Sequence, residues 1–107
     1  MKSLKFMPNL VPLVLSGEKT STWRLFDDKD LQDGDDLAMI NKETGEEFAK
    51  AKIVKITEKR LRELEESDYD GHEKYKDQEE MLNNYKRYYG DNVTLDTIVK
   101  IINFELL

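Results

Sequence analysis

The sequence predicts an α+β fold in which a mostly antiparallel sheet curls into a small barrel with short helices beside it. Two observations predict this class. Short β-branched and apolar segments alternate with turn residues along most of the chain, and two segments carry helix-capping signals. The 107 residues suffice for one hydrophobic core, so we expect a single domain over residues 1–107.

The first quarter of the chain predicts a strand, a helix and a second strand. SLKF is the first strand. NLVPLVLSG predicts a helix from Asn9 to Ser16, with Asn9 as its N-cap and Gly17 as the residue that ends it. The β-branched and aromatic residues from Thr20 to Leu25 then predict a strand.

The middle of the chain predicts a hairpin. DLAMIN and EFAKAKIVKIT flank the turn sequence KETGE, which contains Gly45. The apolar alternation of the second arm slips at IVKI, so we expect a β-bulge there or burial of both faces. EKRLRELEESDYDGHE predicts a short helical stretch that ends in an acidic loop.

The clearest helix runs from Gln78 to Tyr89. Asp77 and Glu80 form a variant of the capping box, and Gly90 follows the last turn. We interpret its apolar stripe as a core contact, with a base-stacking platform as the alternative. The stripe consists of Met81, Leu82, Tyr85, Tyr88 and Tyr89. TIVKIINFELL predicts a long final strand.

The overall charge disfavours one class of partner. Acidic residues outnumber basic residues 23 to 17, for a net charge of -6, so extended duplex DNA or RNA would be repelled on average. A local basic patch or a small nucleobase pocket stays open. The chain contains no cysteine, MKSLKF lacks the apolar stretch of a signal peptide, and the apolar runs are too short to span a bilayer. We therefore expect a cytoplasmic protein without membrane association. A monomer or weak dimer is the expected state, although no feature of the sequence fixes it.

Cations and hydroxyls concentrate in SGEKTSTWRLF, from Ser16 to Phe26. Side chains alternate along a strand, so Thr22 and Arg24 share one face with Thr20, opposite Ser21, Trp23 and Leu25. Lys19, in the turn after the glycine, can swing over the polar face. This arrangement predicts a small site for an anion or an amide. An ordinary amphipathic strand with its polar face outward is the alternative.

The same stretch resembles the G-x-K-x-x-T-x-R signature of ASCH domains, which belong to the PUA-like superfamily. The four positions are filled by Gly17, Lys19, Thr22 and Arg24. LKFMPNLVPLVLSGEKT, DLQDGDDL, GHEKYKDQEEML and YYG also resemble family segments in the same order, so the similarity covers essentially the whole chain. The resemblance implies a PUA-type barrel with a cleft beside the first helix.

The resemblance also implies a function. The superfamily is associated with RNA and modified bases, so RNA or a small nucleoside is the expected ligand. The implied ligand-binding residues are the motif residues Gly17, Lys19, Thr22 and Arg24. His72 is a further candidate because it lies beside Glu73, with an ordinary hydrogen-bonded loop histidine as the alternative. One ASCH branch consists of small amidohydrolases that cleave the acetyl group from N4-acetylcytidine with a lysine, a threonine and a downstream glutamate. The matching residues here are Lys19 as the base, Thr22 as the nucleophile and Glu73, which is aligned by counting back from YYG.

The sequence does not predict a metal or another cofactor. His72 is the single histidine and there is no cysteine, so no standard zinc set exists. ESDYDGHEKYKD departs from a calcium-binding loop at three positions. Three functions remain open: a module that binds RNA or a nucleobase, an amidohydrolase, and an interaction domain whose motif mainly supports the barrel.

Overall fold

A computed structural model describes residues 2–27 and 29–107. Its strands are β1 (Lys2–Phe6), β2 (Ser21–Leu25), β3 (Asp36–Asn41), β4 (Glu47–Arg60) and β5 (Ile98–Leu106). Its helices are α1 (Val11–Ser16) and α2 (Gln78–Tyr89), and short 3₁₀ turns occupy Pro8–Leu10, Leu61–Glu63 and Glu66–Tyr69. None of the helices in these described parts has the length and apolar character needed to cross a membrane.

The strands form one mixed sheet in the order β1-β3-β4-β5-β2. Neighbouring strands are antiparallel except β1 and β3, which are parallel. The two edge strands approach each other at one point, where Arg24 on β2 donates a hydrogen bond to the carbonyl of Lys5 on β1 at 2.8 Å. The predicted α+β, barrel-like class is therefore confirmed. The register of β4 and β5 shifts between Ile53 and Lys55, which confirms the bulge predicted at IVKI.

The sheet is covered on both faces by apolar side chains. On β5, Ile102 and Phe104 belong to a cluster with β1, β3 and α1, whereas Val99 and Ile101 belong to a second cluster with β2 and α2. Alternate residues of one strand thus enter different cores. This double burial explains why the final strand reads as a nearly continuous apolar run.

Helix α2 has the predicted bounds and cap. The side-chain oxygen of Asp77 accepts the backbone N–H of Glu80 at 2.8 Å, and Gly90 follows the last residue. Met81 and Tyr85 are buried against the second cluster, as expected for a core stripe. Tyr88 departs from that prediction, because 56% of it is exposed.

Helix α1 is shorter than predicted. Asn9 lies within the 3₁₀ turn Pro8–Leu10, and its side chain caps neither that turn nor α1, so the predicted N-cap is wrong. Pro8 has no N–H and a fixed φ, so it suits the first position of a turn and starts this one before Asn9. Gly17 does end the helix, in the left-handed conformation at φ +84°.

The connection between β4 and α2 also differs in detail from the prediction. β4 continues to Arg60, so the first residues of EKRLRELEESDYDGHE belong to a strand. The predicted helical stretch consists of the two short 3₁₀ turns that follow. The acidic loop after them carries His72 and Glu73.

Candidate ligand-binding cavity

A cavity of about 370 Å³ lies between β1, β2, α2 and the loop that precedes α2. Five of the residues selected from the sequence line it: Lys19, Thr22, Arg24, His72 and Glu73. Gly17 is not among the lining residues. It ends α1, and two residues later the backbone N–H of Lys19 bonds to the carbonyl of Leu13 at 3.0 Å, which fixes the approach of Lys19 to the cavity.

The centre of the cavity is an ion pair between Lys19 and Glu73. Nζ of Lys19 and Oε2 of Glu73 are 2.5 Å apart, although the residues are 54 positions apart in sequence. The lysine side chain is only 4% exposed and the glutamate side chain 36%. A buried charge needs a partner, so removing either residue would leave the other uncompensated.

The surroundings shift the pKa values of both members. Burial lowers the pKa of the Lys19 ammonium below its usual value, and the hydrogen bond that Lys19 donates to Glu73 opposes that shift only in part. Burial acts to raise the pKa of the Glu73 carboxyl, but the charges of His72 and Lys19 and the Lys19 hydrogen bond hold it below its usual value. Near neutral pH, where His72 is uncharged, the charge that lowers the pKa of Glu73 is that of Lys19.

His72 is fixed by two contacts. Its ring stacks on Trp23, with centroids 3.9 Å apart and planes 14° apart, and its Nδ1 lies 2.8 Å from the carbonyl oxygen of Glu73. A carbonyl can only accept, so Nδ1 carries the proton and Nε2 is the acceptor of the neutral ring. Burial, aided by the charge of Lys19, lowers the pKa of His72 to about 4. The ring is therefore neutral at physiological pH.

Gly71 holds the loop that carries His72 and Glu73 against the start of β2. Its carbonyl accepts the backbone N–H groups of Thr20 at 2.9 Å and of Ser21 at 3.2 Å. Its φ is +72°, and a Cβ atom here would lie 1.9 Å from Oγ1 of Thr20. Any side chain here would be strained by the left-handed backbone and would displace Oγ1 of Thr20, so glycine is strongly favoured. This role of Gly71 was not predicted from the sequence, where a glycine directly before two candidate site residues was the available signal.

The contacts of the Arg24 guanidinium are with neighbouring residues of the protein. Its Nε donates to Oγ1 of Thr22 at 3.2 Å, its Nη2 donates to the carbonyl of Lys5, and its guanidinium lies 5.1 Å from the centre of the Phe6 ring. The Thr22 oxygen therefore receives a hydrogen bond from Arg24. No hydrogen bond joins Thr22 to Nζ of Lys19, both of which lie in the described part of the chain.

The remaining wall is aromatic and comes from α2 and the loop before it. It contains Tyr75, Tyr85, Tyr88, Tyr89 and Asn84. The side-chain amide of Asn84 donates to the hydroxyl of Tyr75 at 3.1 Å. Burial raises the pKa of Tyr85, so its hydroxyl stays protonated. Three of these tyrosines belong to the stripe that was predicted as a core contact, with a base-stacking platform as the alternative: Tyr85, Tyr88 and Tyr89. The repeated tyrosines of the stripe were a signal that this face borders a polar cavity, since the hydroxyl of a buried tyrosine needs a hydrogen-bond partner.

Trp23 connects the cavity with the core beneath α2. It is buried, as the strand alternation predicted, but it also lines the cavity under the His72 ring. Within residues 2–27 and 29–107, no group of three or more His, Cys, Asp or Glu side chains is arranged to hold a metal ion.

Comparison with known proteins finds similarity in solved structures. No family model and no curated protein matches the chain. A DUF984 protein from Enterococcus faecalis V583 is 20% identical, with 92% of this chain and 70% of that chain covered and a TM-score of 0.76. A hypothetical protein is 24% identical over the full length of both chains, with a TM-score of 0.75.

An ASCH domain from Lactobacillus crispatus JV V101 is also similar. It is 17% identical, with 89% of this chain and 68% of that chain covered and a TM-score of 0.69. These identities are too low to transfer an activity, but the agreement of the backbones extends over most of the chain. The chain has the ASCH-domain fold.

Proposed function

We propose that the cavity binds a modified nucleobase or nucleoside, either free or within RNA. The observation that carries this proposal is the buried Lys19–Glu73 pair in an aromatic cavity of about 370 Å³. The volume falls within the roughly 300–1,000 Å³ typical of small-ligand sites, and such sites combine apolar walls with a few fixed polar groups.

The polar groups suit the edge of a base. Glu73 is paired through one oxygen and remains partly exposed, so its carboxylate can accept from an exocyclic amine. Nε2 of His72 is a second acceptor at the same wall, held by the stack on Trp23. The tyrosines of α2 offer the ring faces on which bases stack in single-stranded recognition.

Fluorescence of Trp23 provides the test, because the chain has one tryptophan and it lines the cavity. Titration with cytidine, N4-acetylcytidine and the other common nucleosides should give a saturable change with at least one of them. Glu73→Gln should weaken that binding at least tenfold, because the amide cannot replace both the ion pair and the acceptor. Glu58→Gln, an exposed change on β4, is the matched control. Absence of binding by every nucleoside and by single-stranded RNA would contradict the proposal and leave an interaction domain.

A second candidate is hydrolysis of an acylated nucleobase amine. It is favoured by the presence of Lys19, Thr22 and Glu73 in one cavity and by the lowered pKa of Lys19. Threonine is a weak nucleophile until a base takes its proton, and lysine is a base only when neutral. The bond from Arg24 to Oγ1 leaves the hydroxyl proton of Thr22 available to such a base.

In this reaction, neutral Lys19 takes the hydroxyl proton as Oγ1 of Thr22 bonds to the acyl carbon. The bond from that carbon to nitrogen then breaks, and the amine leaves with a proton passed from the Lys19–Glu73 pair. Water, deprotonated by the same pair, hydrolyses the acyl-threonine ester and releases the carboxylic acid. Thr22 regains its proton, so the cycle closes.

Incubation with N4-acetylcytidine, with cytidine and acetate measured by liquid chromatography, tests the second candidate. Thr22→Ala and Lys19→Ala should each abolish turnover, because the members of a nucleophile–base pair act as a unit. Thr57→Ala on β4 is the matched control. Saturable binding without product would exclude this reaction and leave the binding module.

A further inference from the structure

The charge of the cavity is opposite to that of the chain. Among the described residues that line it, four are cationic and one is a carboxylate, which gives a formal charge of +3 while the whole chain carries -6. The cations are Lys5, Lys19, Arg24 and Lys42, and the carboxylate is Glu73. A cavity of one sign in a protein of the other sign attracts a ligand of the opposite charge.

The four cations fall into two pairs. Lys19 is held by Glu73, and Arg24 is held by Thr22 and by the carbonyl of Lys5. The side chains of Lys5 and Lys42 differ, because both residues are exposed and neither forms an ion pair with any residue in 2–27 or 29–107. Their ammonium groups therefore remain available to a ligand.

The backbone brings these two lysines to the same edge. Parallel pairing of β1 and β3 aligns Lys5 with Ile40, and the backbone N–H of Lys42 bonds to the carbonyl of Phe6 at 2.8 Å. Lys42 is thus two positions past the residue that pairs with Lys5, so both lysines lie at the same end of the β1–β3 pair, and both line the cavity. The aromatic wall comes from different elements, α2 and the loop before it. The cavity therefore has a cationic edge and an aromatic wall.

We propose that the ligand carries a phosphate, and that Lys5 and Lys42 bind this phosphate while the base occupies the aromatic part of the cavity. A nucleotide matches this arrangement, because it has a flat base at one end and an anionic phosphate at the other. The inference rests on the proposed nucleobase site and narrows its ligand from a nucleoside to a nucleotide. The phosphate is the 5′-phosphate of a mononucleotide or a phosphodiester of single-stranded RNA.

Calorimetric titration at low salt compares each nucleoside with its phosphate. The probes are cytidine and N4-acetylcytidine, cytidine 5′-monophosphate and N4-acetylcytidine 5′-monophosphate, and a four-residue cytidine oligoribonucleotide. We expect at least one phosphorylated probe to bind tenfold or more tightly than the matching nucleoside, with the gain reduced by added salt. A gain with the monophosphate assigns a mononucleotide, and a gain with the oligonucleotide alone assigns an RNA strand.

The double variant Lys5→Gln/Lys42→Gln should lose this gain while it still binds the nucleoside. The matched control is Lys50→Gln/Lys55→Gln on β4, which changes the net charge equally and leaves the cavity lining intact. Equal binding of nucleoside and phosphate by the unmodified protein, or a gain that survives in Lys5→Gln/Lys42→Gln, would overturn the inference but not the nucleobase site. Failure of every probe to bind would overturn both.

Discussion

At the scale of single residues, the cavity depends on groups whose charge is set by burial. His72 has one fixed tautomer because the Glu73 carbonyl accepts from Nδ1. Its ring stacks on Trp23, and its Nδ1 lies 3.5 Å from Oε2 of Glu73. Protonation of His72 would place a second cation beside Lys19, although the Glu73 carboxylate would offset part of the repulsion. Burial is the main cause of the lowered pKa of His72 and the charge of Lys19 adds to it, so the neutral ring is favoured in the folded state.

This arrangement predicts a pH-dependent stability. The pKa of His72 is about 4 when folded and about 6.5 when unfolded, so the unfolded chain binds the proton first as the pH falls. The contribution of His72 to the free energy of unfolding is fully present above pH ~6.5 and is lost towards pH ~4. This contribution is about 3 kcal/mol at most, since each pKa unit is worth roughly 1.4 kcal/mol. His72→Phe preserves the stack and removes the titration. Urea unfolding at several pH values should therefore show a shallower decrease in the variant, and parallel decreases would contradict the prediction.

Gly71 gives a second prediction at this scale. Gly71→Ala combines a left-handed backbone with a clash against Oγ1 of Thr20, so we expect a loss of about 1–3 kcal/mol in the free energy of unfolding and weaker ligand binding. Gly45→Ala is the matched control, because Gly45 has φ +75° but no atom within 4 Å of the added Cβ. Removing the clashing oxygen in Thr20→Ala/Gly71→Ala should restore part of the loss. Equal effects of Gly71→Ala and Gly45→Ala would show that the clash is unimportant.

At the scale of secondary-structure elements, β2 is an edge strand whose polar side chains close the sheet. Arg24 crosses from β2 to the carbonyl of Lys5 on β1, and the same guanidinium holds Thr22. The motif arginine was predicted as a ligand-binding residue. Its contacts argue for an additional role, in which it joins the two edges of the sheet and orients the hydroxyl of Thr22.

Substitution of Arg24 tests this closing role. Arg24→Ala should lower the free energy of unfolding by about 1–3 kcal/mol, because it leaves a carbonyl and a buried hydroxyl without their donor. Arg24→Lys should not restore the loss, since one ammonium cannot reproduce the two directed bonds from Nε and Nη2. Arg62→Ala, which removes an exposed pair with Asp96, should change stability by less than ~1 kcal/mol. Thermal melting compares all three, and full stability of Arg24→Lys would contradict the directed bonds.

The elements that were predicted from sequence are those with local signals. The cap of α2, the hairpin at Gly45 and the bulge at IVKI depend on residues that are close in sequence, and the structure contains all three. Asn9 failed as a cap because Pro8 offered a competing local start. The parallel pairing of β1 with β3 has no local signal, since it depends on how the chain crosses the sheet.

In the candidate site, too, the features with a local sequence signal were predicted and those that depend on tertiary packing were not predicted from such signals. Strand alternation brought Thr22 and Arg24 to one face, and their hydrogen bond is consistent with that. The meeting of Lys19 with Glu73 across 54 positions followed from family resemblance alone, because spacing cannot reveal a tertiary contact. The aromatic wall was only the alternative to a core stripe, and the role of Gly71 was missed, because both depend on which surfaces pack together in the fold.

At the scale of the whole molecule, positive charge is concentrated in the cavity of a chain that is acidic overall. The chain has a net charge of -6, but the cavity has an excess of cations and its edge carries Lys5 and Lys42. Because the lining of the cavity is net positive, the rest of the chain is more acidic than the whole, so a long duplex that extends beyond the cavity would be repelled on average. A single nucleotide, or a short single strand entering the cavity, would meet the cations and avoid most of the acids. The charge distribution therefore favours a small or single-stranded ligand.

The salt dependence of binding tests this separation of charge. The logarithm of the binding constant of a single strand changes with the logarithm of salt by about -0.7 for each phosphate that is neutralised. Two available lysines therefore predict a slope of roughly -1.4 for a short single-stranded RNA. In Lys5→Gln/Lys42→Gln the slope should approach zero, whereas Lys50→Gln/Lys55→Gln should retain it. A duplex RNA of the same length should bind at least tenfold more weakly, because the acidic surface repels its second strand. Fluorescence anisotropy with labelled RNA at several salt concentrations gives both values, and tight duplex binding with a steep slope would show that a basic surface outside this cavity governs recognition.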